Sequence, residues 1–176
     1  MLELILMRHA KTEPGGVGPA DRKRALTDRG RADARLVGER MKAERWLPDR
    51  ILCSPATRTR QTLEPLADAF GGAVPTELLE ELYGGGSPDY LGTIAKSGGA
   101  ARRLLVIGHN PTIHGTAVAA AASGDKALRE RLSEKFPTAA FALIAFAIDA
   151  WAEIGSADGR LLAFVTPRDL CGGPED

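Results

Sequence analysis

The chain has 176 residues, 44% of them hydrophobic and 26% charged, which suits one domain with a substantial core and is short for two. Its 23 Lys and Arg balance 23 Asp and Glu, so no global field points to nucleic acid or an acidic membrane as partner. Two cysteines, Cys53 and Cys171, make neither a disulfide framework nor a zinc quartet.

Glu3 interrupts the N-terminal apolar run, no basic stretch precedes it, and no segment reaches the ~18–20 apolar residues of a membrane helix. The expected setting is therefore the cytoplasm. Charge is uneven along the chain: residues 1–60 hold 14 Lys/Arg against 8 Asp/Glu. That basic surplus favours an anionic ligand near the N-terminal end.

In chain order, residues 2–7 read as a short buried strand that runs into Arg8-His9. A Pro/Gly-rich loop follows, then a helix within 25–46 with Thr27 as N-cap and Ala32, Leu36, Val37 and Met41 on one face. Residues 49–54 predict a second strand. Ser54-Pro55 reads as a cap and first helical residue, opening a helix striped by Leu63, Leu66, Ala67 and Phe70. Pro65 inside that stripe is expected to kink or shorten it.

Residues 77–82 fit a short strand or a turn of helix, broken at Gly84-Gly85-Gly86, and Ser87-Pro88 suggests a further helix start. "RRLLVIGHNP" repeats the first corner: a buried strand, Leu104 to Ile107, delivers His109. Asn110-Pro111 then caps a helix with Ile113, Ala117, Val118 and Ala121 on its inner face. A charged helix is expected over 125–135. The segment 138–155, an Asp158-Gly159 turn signal and "RLLAFVTP" together predict a C-terminal β-hairpin.

Alternating strands and amphipathic helices define an α/β fold: a mainly parallel central sheet with helices on both faces, in three layers within one domain over 1–176. Ligands of such sheets sit beyond the carboxyl ends of the strands. Arg8-His9, the Ser54–Arg58 corner and His109 all fall at such ends, so parallel neighbours would bring them to one edge. Helix N-termini and the guanidinium forks of Arg8 and Arg58 suit phosphate oxygens. A neutral imidazole is a competent nucleophile toward phosphorus, and nearby cations keep it neutral. The chemistry read from these residues is phosphoryl transfer onto His9, followed by attack of water.

"RHA" after a strand resembles the Arg-His-Gly signature of the histidine phosphatase superfamily. "RALTDRG" (24–30), "ILCSPATRTRQT" (51–62) and "LLVIGHNP" (104–111) extend the likeness from residue 4 to about 115, in particular to its small SixA-type phosphohistidine phosphatase branch. The resemblance implies a phosphoglycerate mutase-like fold, with His9 as the phosphorylated nucleophile. Arg8, Arg58 and His109 become the phosphate pocket, and His109 is expected to be protonated once phosphate is bound. A backbone carbonyl is expected to orient the His9 ring through Nδ1–H. No metal or cofactor is implied.

Ala10 stands where Gly is commoner. Larger members carry a Glu or Asp general acid in the middle of the chain near a Gly-rich turn; the nearest candidates here are Glu77, Glu80 and Glu81, none within a matching motif, with Glu80 and Glu81 taken as the possible acids. A phosphohistidine depends less on such an acid than an alkyl phosphate does. The expected substrate is a phosphohistidine presented by a signalling protein, with a small phosphate ester, or binding without turnover, as alternatives. The resemblance leaves the oligomeric state open.

Other residues have plainer readings. His114 reads as structural, and Arg22, Lys23, Arg24 and Arg60 as solvated surface, with Arg24 the one able to reach the pocket mouth. Ser54 lacks a Gly-x-Ser-x-Gly elbow and reads as a cap. From Cys53, Arg58 and Arg60 miss the Cys-x5-Arg spacing of cysteine phosphatases by one residue either way, so an inert thiol is expected. The glycine pairs do not form a P-loop.

Overall fold

Side-chain alternation along the aliphatic strands divides the interior into two cores, one on each face of a seven-stranded sheet. The computed structural model describes residues 1–15, 17–84 and 89–171. The first half of the chain runs β1 (Leu2–Arg8), α1 (Pro19–Arg22), α2 (Asp28–Ala43), β2 (Arg50–Cys53), α3 (Thr57–Phe70), β3 (Thr76–Leu78), α4 (Glu81–Gly84). The second half runs α5 (Leu91–Ser97), β4 (Arg103–Gly108), α6 (Thr112–Ala120), β5 (Ser123–Gly124), α7 (Lys126–Glu134), β6 (Phe141–Phe146), a 3₁₀ helix (Trp151–Ser156), β7 (Arg160–Val165) and α8 (Pro167–Leu170).

The sheet order is β3-β2-β4-β1-β6-β7-β5, parallel except for β6, which runs antiparallel to both its neighbours. Leu4, Leu6, Leu104 and Val106 point to one face, against Ile94 of α5, Ile113 of α6, Leu132 of α7 and Trp151. Their alternates Ile5, Met7, Leu105 and Ile107 point to the other, against α2 and α3. Each such fully buried aliphatic side chain contributes roughly 1.5–3 kcal/mol. The mainly parallel sheet with helices on both faces is as the sequence led one to expect.

Several local expectations change. Thr27 does cap α2, its hydroxyl accepting from Gly30 N at 3.0 Å. The buried face of α2, however, is Ala34, Val37, Gly38 and Met41, while Ala32 is exposed and Leu36 only half-buried. Glycine makes that face: a Cβ on Gly38 would stand 2.9 Å from the Ala69 Cβ of α3, so its absence lets the two helices approach. The third helix begins at Thr57 behind an Ala56 cap, not at Ser54-Pro55, because the Ser54 hydroxyl is engaged elsewhere. It runs through Pro65 to Phe70 and ends on Gly71 at φ 77°. On α6, Val118 is exposed and Thr116 and Ala120 are buried in its place.

The strand and helix alternatives for 77–82 occur in succession, as β3 and then α4. Gly85, Gly86 and Ser87-Pro88 lie outside the described residues. β6 and β7 form the expected antiparallel pair, with a long connection through the 3₁₀ helix in place of a tight turn. Gly159 is glycine for close approach: a Cβ there would lie 2.3 Å from the Ala120 carbonyl oxygen. Among the described residues no helix is long and apolar enough to cross a membrane.

Candidate active site

Three adjacent strands, β2, β4 and β1, end together, and their register fixes what meets there. Arg8 is opposite Gly108, His9 N donates to the Gly108 carbonyl at 3.1 Å, and Ser54 N donates to the Ile107 carbonyl at 3.0 Å. His9 and His109 are consequently neighbours, with ring centroids 5.2 Å apart. Gly108 has a steric reason: a Cβ would strike the Tyr90 ring at 2.6 Å, and Tyr90 Oη accepts from His109 N at 3.2 Å.

The two imidazoles are held differently. His9 Nδ1 lies 2.8 Å from the carbonyl of Ala10, which can only accept, so Nδ1 carries the proton and Nε2 keeps its lone pair. Nε2 takes no hydrogen bond from the described residues. Ala10 is itself pinned, its N–H donating to Thr62 Oγ1 at 2.9 Å, and Thr62 in turn donates to the Arg58 carbonyl at 2.7 Å. His109 has both nitrogens occupied. Arg58 Nε donates to its Nδ1 at 3.3 Å, which leaves Nε2–H to donate to Ser54 Oγ at 2.7 Å.

Burial, with the guanidinium charges adding to it, lowers the His9 pKa to about 4 against the opposing pull of the Ala10 carbonyl. Burial and the neighbouring His9 and Arg58 lower that of His109 to about 3. In this arrangement His109 is neutral.

Around them lies a cavity of about 310 Å³ lined by Arg8, His9, Lys11, Thr12, Arg24, Arg58, His109, Asn110 and Thr138. Arg8 Nη1 donates to the Phe136 carbonyl at 3.0 Å, and the Nε atoms of Arg8 and Arg24 are buried without a partner among the described residues. Arg58 uses three of its five N–H groups on His109, the Asp21 carbonyl and the Asp21 carboxylate. The remaining donors of the three arginines are what an oxyanion would satisfy. Helices α3 and α6 begin at the cavity edge with no capping side chain, so their first N–H groups add positive potential.

Asp21 and Tyr83 were not singled out from the sequence. The Asp21 carboxylate lies 3.1 Å from Arg58 Nη2 and 3.2 Å from Arg24, and it accepts from Tyr83 Oη at 3.2 Å. Partial burial would raise its pKa, but Arg58, Tyr83 and Arg24 outweigh that and hold it below the usual carboxylate value. Tyr83 also meets the His109 ring edge-on at 5.6 Å.

The general-acid candidates do not reach the cavity. Glu80 is an exposed carboxylate paired with Arg22 at 2.6 Å, and the Arg22 hydrogen bonds lower its pKa. Glu81 is exposed at the start of α4, and Glu77 pairs with Arg50 at 2.6 Å. His114 sits 2.7 Å from the Leu132 carbonyl, a structural contact. Burial pushes the Cys53 thiol up to about 12, so it holds no thiolate.

Lys11, Thr12, Asn110 and Thr138 reach the cavity from loops, where no periodicity marks them, and Asp21 reaches Arg58 from the short, exposed α1. Thr62 and Gln61 could have been found: both belong to "RTRQT". Gln61 Oε1 accepts from Leu26 N at 2.8 Å, tying α3 to the loop before α2.

Cationic donors, uncapped helix starts and an imidazole with a free lone pair are the parts of a site that handles phosphoryl groups. A model of the histidine phosphatase superfamily (branch 1) matches residues 4–85. An uncharacterized protein of Mycobacterium tuberculosis is 39% identical over 165 residues, covering 92% of this chain and all of that one. The phosphohistidine phosphatase SixA of Escherichia coli is 30% identical over 116 residues, 64% of this chain and 70% of that one. The crystal structure of a candidate phosphohistidine phosphatase SixA from Agrobacterium tumefaciens superposes with a TM-score of 0.78 at 29% identity, covering 94% of this chain and 97% of that one. The chain belongs to the histidine phosphatase superfamily, in its SixA-like branch. It is a phosphatase with the phosphoglycerate mutase-like fold of that branch.

Proposed function

We propose that the protein hydrolyses phosphohistidine on a partner protein, without a metal, through a phosphorylated His9. Arg8, Arg58 and Arg24 hold the phosphoryl oxygens, and His109 joins them as a donor once the arriving dianion raises its pKa. His9 Nε2 forms a bond to phosphorus as the P–N bond to the substrate imidazole breaks. The released electron pair returns to that imidazole, which takes a proton from solvent. Water then attacks phosphorus, the His9 P–N bond breaks, and inorganic phosphate leaves.

The observation that carries the choice of substrate is the state of the carboxylates. Asp21 is held ionised by Arg58, Glu80 is engaged by Arg22, and Glu81 lies on the exposed side of α4. An alkoxide leaving group needs an acid that none of these supplies, whereas an imidazole leaves readily once protonated by water. The name of the Escherichia coli relative supports the same reading. A cytoplasmic, signalling setting goes with it, in keeping with two unpaired thiols.

The test compares turnover of a phosphohistidine peptide with that of p-nitrophenyl phosphate, with and without EDTA, and traps radiolabelled phosphate on the protein. Fast EDTA-resistant turnover of the peptide and acid-labile labelling lost in His9→Ala are expected. Preference for the phenyl ester would favour a small phosphomonoester as substrate. Binding without labelling or turnover would leave a phosphate-binding module.

A further inference from the structure

A second cavity, about 780 Å³, opens beside the phosphate pocket, and the two share Lys11 and Thr138 on their walls. The larger one is a groove between the first half of α2, the end of α7 with the loop after it, and α8. Its size lies within the ~300–1,000 Å³ of ligand sites, far beyond what a phosphoryl group fills.

The groove is firmly built. Lys11 is clamped from below: its carbonyl accepts from Thr27 N at 3.0 Å, and a Cβ on Gly30 would sit 2.1 Å from the same oxygen. On the far wall Thr166 and Asp169 cap α8 reciprocally, and Arg131 grips both carboxylate oxygens of Asp169 at 2.8 and 2.9 Å. Those pairings consume Arg131 and Asp169. Arg29 similarly approaches Asp33 at 3.4 Å. Three groove cations remain with no carboxylate partner among the described residues: Lys11 at the junction, and Lys135 and Arg168 along the walls.

Resting on the phosphohistidine reading, we propose that this groove binds an acidic stretch of the substrate polypeptide flanking the phosphorylated histidine. Continuity with the phosphate pocket places the flanking chain there when the phosphoryl group is on His9. The unpaired cations select carboxylates on it. A nucleic acid suits the groove less well, because Glu134, with no basic partner among the described residues, stands on its wall and repels a continuous polyanion. A peptide with spaced carboxylates and backbone hydrogen bonds suits the mixed lining.

The experiment uses two phosphohistidine peptides of equal length, one flanked by Asp and Glu and the other by Asn and Gln, with p-nitrophenyl phosphate as a third substrate. Wild-type protein should show a kcat/KM about tenfold higher for the acidic peptide at low salt. Lys135→Glu/Arg168→Glu should erase that preference and leave p-nitrophenyl phosphate turnover unchanged, since neither residue lines the phosphate pocket. Should the double variant lose the phenyl ester too, its fold is damaged and Arg168→Gln, with a smaller loss of preference expected, decides instead. Equal use of both peptides by the wild type, or a preference that survives in the variants, overturns the groove and leaves the phosphatase reading standing. Cleavage of the phenyl ester with neither peptide used overturns the phosphohistidine reading and the groove together. Inhibition by an oligonucleotide and not by polyglutamate overturns the choice of ligand.

Discussion

Two corners of the sheet, residues 8–10 and 108–110, present the same grammar in opposite senses. Each is a buried parallel strand delivering a histidine, and the two strands are hydrogen-bonded neighbours. Yet His9 is gripped through Nδ1 by the next residue of its own chain, whereas His109 is gripped at both nitrogens by Arg58 and Ser54. One imidazole is left a free lone pair and the other is left none. The difference is what the proposed roles, nucleophile for His9 and anion-binding donor for His109, call for.

The widest separation between the corners should come from truncation. His9→Ala should lower kcat by about 10⁴-fold or more and abolish phosphoenzyme labelling. His109→Ala should cost about 10²–10³-fold, as loss of a transition-state donor does, while slow labelling of His9 persists. Labelling of His109, or identical losses, would break the comparison.

Acid stability sharpens it further. Both folded-state pKa values lie below the ordinary 6.5, at about 4 for His9 and about 3 for His109, so the unfolded chain binds more protons as pH falls. The stability due to these neutral imidazoles is complete above pH ~6.5 and is lost as pH falls through ~4 toward ~3, by an amount on the order of a few kcal/mol. Urea melts across that range should show the decline, and His109→Asn should reduce it. Unchanged melts from neutral pH to pH 4 would contradict the buried, neutral pair.

A smaller effect is expected at Asp21, which steadies Arg58 from the side away from His109. Asp21→Asn should raise KM about tenfold with little change in kcat, because the fork is loosened and its charge kept. A large fall in kcat with a changed pH profile would instead make Asp21 a proton donor. The smallest change is Thr62→Val. It removes the acceptor for the Ala10 N–H and should cost about 1–3 kcal/mol of stability, read by urea melts. A few-fold loss of kcat should accompany it, because Ala10 also orients His9.

Much of this was legible in the chain because the informative features are local. An aliphatic run ending in Arg8-His9 or Gly108-His109 specifies both a buried strand and what stands at its tip. Helix faces were less legible where glycine or a polar residue supplies the contact, as Gly38 does between α2 and α3. The Asp158-Gly159 pair carries a turn signal in sequence, yet its glycine serves close approach to Ala120, which calls for the same residue. Asp21 and Tyr83 were invisible for another reason. They act on Arg58 and His109 across 37 and 26 residues of sequence, through contacts that no periodicity encodes.

The buried, protonated state of Cys53 carries a consequence for the conditions the enzyme tolerates. Phosphatases that attack with a thiolate are silenced by peroxide because the nucleophile is itself the oxidisable group. Here the thiol beside the site is buried and protonated, and the proposed attacking atom is the Nε2 nitrogen of His9. Dephosphorylation should therefore continue through an oxidative burst that stops cysteine-based enzymes in the same compartment.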